Sequence, residues 1–324
     1  MKKLNLLFLC WFGFAEQTLA QEEKLKANDL FLTSSPGLVL ADKAPSSIEK
    51  PTNPKTFGVS LLNLWQGGAI EATPFWFSNK PQYTYQDWIK KKVLFFETFN
   101  ISAATFREED RNILSAGFRS TIFRSYSKAA IKKLTSQEDK IIELLTPGSV
   151  GATLDEEKIK EESDKLDAME QRGFYALEIA GAMLGSGKEN DFENIVLEKS
   201  GIWMNFRLSP LNNGLDFVAL FRYSWTNNAN NITIPENEFY DYGLSLNYEK
   251  SAFNIAGEYV FRHDNNLNEQ YKRLAFSGAY QLNPYMALVA SFGKNFAKDD
   301  NIIALFGINF GLVNNRIKEG DEDE

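Results

Sequence analysis

The chain is poor in the residues on which most enzyme and metal sites depend. Its 324 residues include one cysteine, Cys10, and one histidine, His263. A lone thiol excludes a disulfide framework and a thiolate zinc site, and a lone histidine excludes a His-cluster metal site. Positive charge is also scarce: Lys+Arg 35 against Asp+Glu 43 gives a net charge of −8, the wrong sign for binding nucleic acid by counterion release. Long apolar runs are missing as well. Beyond the first twenty residues the longest, such as Ile302 to Ile308, have the length of strands, whereas a spanning helix needs ~20 apolar residues.

Aromatic residues, by contrast, are abundant, with Phe 26, Tyr 12 and Trp 6. The N-terminus has the three parts of a secretory signal. Lys2 and Lys3 carry the positive charge, Leu4 to Phe14 is apolar, and Thr18-Leu19-Ala20 offers small residues before Gln21. Cleavage is expected after Ala20, which would remove Cys10. A lipoprotein site is a poorer reading, because Cys10 follows Phe8-Leu9.

From Thr56 onward the pattern has period two. Leu215, Phe217, Ala219, Phe221, Tyr223 and Trp225 alternate with Asp216, Val218, Leu220, Arg222 and Ser224. Phe253, Ile255, Gly257, Tyr259 and Phe261 alternate in the same way with Asn254, Ala256, Glu258 and Arg262. Alternation over ~10 residues is what a tilted membrane-spanning strand requires, and aromatics near strand ends suit interfacial girdles. Trp65, Trp76, Tyr223, Trp225, Tyr240, Tyr242, Tyr259, Tyr271, Tyr280 and Tyr285 take such positions. A soluble sandwich, with strands of ~5–6 residues, fits less well. The expected fold is all-β: a transmembrane antiparallel up-and-down β-barrel of about 12 strands. Candidate strands span 57–65, 69–77, 94–106, 113–124, 173–184, 195–208, 215–225, 239–249, 252–262, 271–282, 285–296 and 302–312, with a bulge expected at Leu61-Leu62. Turns after strands 6, 8 and 10 are short (Pro210 to Gly214, Lys250-Ser251, Asn283-Pro284) and the alternate ones, Thr226 to Glu238 and His263 to Gln270, longer, which places the short turns and the N-terminus in the periplasm.

Two segments break the pattern. Residues 21–55, with Pro36, Pro45, Pro51 and Pro54, read as an extended arm that either tethers or enters the lumen as a plug. Its apolar Leu30, Phe31, Leu32, Leu38, Val39 and Leu40 favour the plug, since a free linker would not need them. Residues 128–172 switch to helical period, with the stripe Ile131, Leu134, Ile141, Leu145, a Thr153/Glu156 capping box and the Glu161/Lys165 pair. Parity puts this insertion in the periplasm. Residues 313–324 form an acidic tail.

The layout over 56–312 resembles the outer-membrane β-barrel proteins of diderm bacteria. More narrowly, Ser35-Pro36-Gly37-Leu38-Val39-Leu40, Ser46-Ser47-Ile48-Glu49-Lys50-Pro51 and Phe57-Gly58-Val59-Ser60-Leu61-Leu62 resemble the opening of an uncharacterised barrel family, a resemblance that implies no activity.

Lumen-facing positions of neighbouring strands carry opposite charges: Arg119 with Glu178, Arg207 with Asp216, Arg222 with Asp241, and Glu258 with Arg273. Unpaired charges in a narrow interior carry a large desolvation cost. The pairs are therefore expected to form a salt-bridged filling or, in a functional reading, a polar constriction that filters solutes. Other constellations reduce to bland readings. His263 has no serine two residues on, where Asn265 stands. Asp264, Asn266 and Asn268 match the start of a calcium loop, but Glu269 and Ala275 occupy its glycine and final acid positions. Gly185-Ser186-Gly187-Lys188 lacks the rest of a phosphate loop.

No catalytic, metal or cofactor residues are expected. The expected function is an outer-membrane pore or solute-uptake channel with a mixed-charge lumen, in contact with outer-membrane lipid and not with nucleic acid. The alternative is a non-conducting barrel that anchors a periplasmic protein partner through helices 128–172.

Overall fold

A computed structural model describes residues 35–49, 57–62, 67–77, 94–108, 111–126, 128–145, 158–159, 162, 174–188, 195–209, 214–227, 237–250, 252–283, 286–296 and 302–312. The leader 1–20, the start of the arm and the tail 313–324 lie outside the described residues, as do Thr153, Glu156, Glu161 and Lys165.

Twelve strands form one closed sheet: β1 (Phe57–Leu62), β2 (Gly67–Ala72), β3 (Asn100–Glu108), β4 (Arg111–Tyr126), β5 (Phe174–Lys188), β6 (Val196–Ser209), β7 (Leu215–Thr226), β8 (Glu238–Lys250), β9 (Phe253–Asp264), β10 (Glu269–Asn283), β11 (Met286–Lys294) and β12 (Ile302–Leu312). Each pairs antiparallel with its sequence neighbours, and β1 pairs with β12 from Phe57 opposite Leu312 to Leu62 opposite Gly307. Closure leaves no unpaired edge. The alternation dictates the faces: along β7 the even-numbered residues Asp216 to Ser224 are buried, while Phe217 and Phe221 are exposed.

The structure corrects several expectations near the N-terminus. No bulge occurs at Leu61-Leu62, where the register with both neighbours is unbroken. The shifts lie instead at Thr121/Phe123, Leu184/Gly185 and Gln281/Asn283. The strand expected over 69–77 stops at Ala72, and Pro74–Phe77 forms a 3-10 turn. Pro74 cannot donate to a ladder, and Trp76 turns inward, its indole N–H donating to the Glu97 carbonyl at 2.9 Å rather than joining a girdle. The strand expected over 94–106 begins only at Asn100. Before it Leu94–Thr98 is a short helix, in which Thr98 Oγ1 donates to the Leu94 carbonyl at 2.7 Å and buried Glu97 pairs with Arg124 at 3.0 Å.

Helix also appears in the arm, where Pro36–Leu40 (α1) is one buried turn in a segment expected to be extended. Proline at the first helical position is preset for this conformation. Label the Leu94–Thr98 helix α2 and Lys128–Leu145, between β4 and β5, α3. On α3 Leu134 and Ile141 are buried, whereas Ile131 is exposed, so the apolar stripe is narrower than its sequence suggests. Gln137 Nε2 ties α3 to the following helical residues by donating to the Glu162 carbonyl at 3.0 Å. In an antiparallel closed barrel, connections after even strands return to the end where β1 begins. The segment carrying α3 therefore lies at the same end as the connection from β8 to β9.

Candidate functional site

The closed strand order encloses an interior, and the described residues line it with charge. Arg207 Nη2 donates to both Asp216 oxygens, at 3.2 and 3.1 Å. Arg222 Nε donates to Asp241 Oδ2 at 2.7 Å, and Arg273 Nε to Glu258 Oε1 at 2.7 Å. These three expected pairs are brought together. The fourth is not joined by such a bond. Arg119 instead holds Glu71 on β2 at 2.5 Å and Glu49 of the arm at 3.2 Å, and Glu178 accepts a bond from Asn205 Nδ2 at 3.4 Å. Both Arg119 and Glu178 are buried on lumen-facing positions of adjacent strands.

Residues 35–49 run among these wall groups. Leu38, Val39, Leu40 and Ile48 are at most 3% exposed and join lumen-facing Ala180, Trp203, Val218, Leu220 and Val260 in one apolar cluster. Each such side chain contributes ~1.5–3 kcal/mol when fully buried. The wall is cut to receive them. A Cβ on Gly201 would stand 2.8 Å from Leu40 Cδ1, and one on Gly243 would stand 2.8 Å from Ile48 Cδ1. The approach is equally close on the arm, where a Cβ on Gly37 would collide with Ser115 Oγ.

Polar contacts fix the segment's height. Glu258 accepts from Ser46 Oγ at 2.6 Å, from the Ser47 amide at 2.9 Å and from the Ile48 amide at 3.1 Å. Arg273 Nη2 donates to the Ala44 carbonyl at 3.2 Å. Asp42, in a left-handed conformation with φ 57°, accepts from Arg262 Nη1 at 2.9 Å and Nη2 at 3.1 Å, and from Arg222 Nη2 at 3.2 Å. Lys199 Nζ lies 3.6 Å away. Burial by itself would push the Asp42 carboxyl up, but Arg262, Lys199 and Arg222 together hold it well below the usual carboxylate range. Arg262 also donates to Asp241, from Nε at 2.8 Å, so one wall carboxylate and one arm carboxylate share two guanidiniums.

Asp42, Glu49, Glu71, Lys199 and Arg262 were not foreseen as members of this network. Asp42 and Glu49 were the available signal, since carboxylates among the buried-type apolar residues of the arm call for cationic partners. His263 falls within β9, not in a loop, and the hairpin after it is only Asn265–Asn268. Asp264 closes that hairpin: Oδ1 accepts from the Asn266 and Leu267 amides at 3.0 Å each, and Oδ2 from Asn237 Nδ2 at 3.1 Å.

The outer face completes the picture. It carries Leu244, Phe253, Ile255, Phe276, Phe292 and Ile302, all more than half exposed. Towards one end Tyr223 stacks near Trp225 and Tyr240, at centroid distances of 5.3 and 5.1 Å, and towards the other Phe253 meets Tyr280 at 4.7 Å. A closed barrel that buries its charged side chains in the lumen and exposes a broad apolar belt is suited to a bilayer rather than to water. This is a transmembrane β-barrel.

No family model matches the barrel sequence, and no curated protein does. Solved structures that resemble it are outer-membrane barrels. NanC porin shares 8% identity over 79% of this chain and 98% of that one, with a TM-score of 0.39. An outer membrane protein of Acinetobacter baumannii shares 9% over 81% and 100%, with a TM-score of 0.36. The translocator domain of the autotransporter NalP from Neisseria meningitidis shares 10% over 84% and 91%, at 0.32. Such distant likeness says nothing about solute or partner. The barrel class rests on the closed strand order and the apolar belt.

Proposed function

We propose that the protein is an outer-membrane channel for solutes with a mixed-charge lumen, held closed by residues 35–49. The observation that carries this reading is the way the segment is seated: apolar side chains at lumen-facing glycines, and Asp42 and Glu49 on wall guanidiniums. A barrel meant only as an anchor has no need of an insert seated on its wall by both apolar and charged contacts. Export through a cleaved leader ending near Ala20 belongs to the same reading, as does lipid contact along the outer belt. The test is a planar-bilayer recording of the mature chain and of a form lacking residues 22–52. The shortened form should conduct more than the mature chain while still forming a heat-modifiable barrel. Equal conductance in both would refute closure by the segment. Absence of conductance in both would favour the other class, a non-conducting barrel that holds a periplasmic partner through residues 128–172, for which the burial of Leu134 and Ile141 in an ordered helix speaks.

A further inference from the structure

Asp42 occupies a site built by the wall. Arg222, Arg262 and Lys199 come from β7, β9 and β6, and among the described residues the wall acid paired with them is Asp241 on β8. Three cations against one anion leave an excess of positive charge that Asp42 offsets. Buried cations without a counter-charge are costly, so the seated segment must bring an anion, and with the segment away the excess positive charge attracts one.

The wall itself orients its two arginines. Arg262 lies over the Phe296 ring at 3.7 Å and near the Phe239 ring at 5.4 Å. One edge of its guanidinium is fixed on Asp241, through Nε at 2.8 Å and Nη2 at 2.9 Å, which leaves Nη1 and Nη2 as a fork aimed at the lumen. Arg222 Nε is likewise spent on Asp241 at 2.7 Å. A fork of this kind matches the two oxygens of a carboxylate. The remaining donors take neutral oxygens: Arg222 Nη1 donates to the Val39 carbonyl at 3.1 Å, and Lys199 Nζ to the Leu40 carbonyl at 2.9 Å.

The geometry points to a carboxylate-binding eyelet formed by Arg222, Arg262 and Lys199, which Asp42 fills in the closed barrel and a small organic carboxylate fills once Asp42 is withdrawn. Carbonyl or hydroxyl oxygens next to the carboxylate would replace the Val39 and Leu40 carbonyls, so the class is hydroxy- or oxo-carboxylates rather than simple halides. The eyelet deepens the channel reading and rests on it for its role in transport, but its ligand chemistry is testable apart from conduction.

Asp42→Gly removes the carboxymethyl group and keeps the left-handed backbone, which glycine adopts without strain. Acetate has the shape of the missing group. In the full mature chain, the temperature at which the folded band disappears in detergent gels should fall by about 2–4 °C or more for D42G. Sodium acetate should restore it, while sodium chloride at equal ionic strength should not. Asp42→Asn, which still fills the space, should not respond to acetate. Equal action of acetate and chloride on D42G, or equal rescue of D42N, would overturn the eyelet. A second measurement uses the form lacking residues 22–52 in a salt gradient. With potassium acetate its reversal potential should favour acetate over potassium, and Arg262→Gln should remove that preference. A conducting barrel without anion preference counts against the eyelet. A silent one refutes the channel reading alone and leaves the acetate rescue to decide.

Discussion

Glu258 is the wall residue through which docking of the arm is most directly weighed. Its carboxylate faces three donors of the segment, Ser46 Oγ and the Ser47 and Ile48 amides, and one donor of the wall, Arg273 Nε. Glu258→Gln keeps the volume but replaces one acceptor oxygen by an NH2. With the carbonyl oriented to Arg273, the new N–H groups confront the Ser47 and Ile48 amides, donor against donor. Hydrogen bonds to a charged group contribute ~1.5–3 kcal/mol each and do not add fully. Loss of the group at Ser46–Ile48 therefore costs docking about 3 kcal/mol, close to a hundredfold rise in the undocked fraction at ~1.4 kcal/mol per factor of ten.

Ala44 provides the reporter, since it is 1% exposed and its carbonyl receives Arg273. Cys10 is the sole native thiol, so Ala44→Cys in a Cys10→Ser background gives a single labelling site. Where closing is fast relative to reaction, maleimide labelling of the folded barrel reports the undocked fraction. Labelling should speed up by about a hundredfold in E258Q, by the same energy arithmetic. Glu178→Gln is the control, because Glu178 is paired with wall Asn205, and it should leave the rate near that of the parent. A rate in E258Q within threefold of the parent, or an equal rise in both variants, would refute the reasoning.

Two further outcomes follow from the same contacts. Asp42 has its carboxyl lowered by Arg262, Lys199 and Arg222. A lowered carboxylate contributes stability that is fully present above its unfolded value of about 4 and is lost as pH falls from there towards the folded value. The difference in heat-modification temperature between the parent and D42N, which cancels the wall acid Asp241, should stay constant from pH 7 to 5 and shrink below about 4; a difference that grows on acidification would contradict the assignment. Deletion of residues 128–172, with Ser127 joined to Gly173 by a short linker, should leave a heat-modifiable barrel of lower helical content by circular dichroism, because α3 makes its described polar tie to Glu162 rather than to a strand. Loss of the barrel would show that α3 supports the wall.

The period-two pattern made the strands readable because each residue on β7 or β9 has only two environments, lipid or lumen, and the chain pays heavily for the wrong one. The pattern weakens where that choice is relaxed. Leu94-Phe95-Phe96 offers apolar residues without alternation, so nothing in it separates a buried strand from the helix α2, and the inward turn of Trp76 depends on Glu97, twenty-one residues away. Arg207 with Asp216 and Arg222 with Asp241 were readable because neighbouring strands fix their register locally. For Arg222 and Asp241 the two residues stand directly opposite each other.

Partners across the lumen obey no such rule, and Arg119 shows why. By strand order Glu178 lies two residues along β5 from the position opposite it, since Arg119 stands opposite Ala180 and Thr121 opposite Glu178. The guanidinium nevertheless reaches Glu71, two strands away, and Glu49, which is on no strand. A long side chain in a curved interior samples several walls, and the carboxylate that arrives from the arm competes with the one on the next strand. What the sequence did carry is an indirect sign of the insert. Gly117, Gly201 and Gly243 occupy lumen-facing positions at which a Cβ would meet Pro36, Leu40 and Ile48 in turn. A wall that carries arginines, carboxylates and Trp203 elsewhere omits a side chain at the three positions where another piece of chain needs the room. Glycine on the inner face of a barrel strand, combined with acids and apolar residues in a flanking segment, therefore points to an occupied lumen more directly than proline content does.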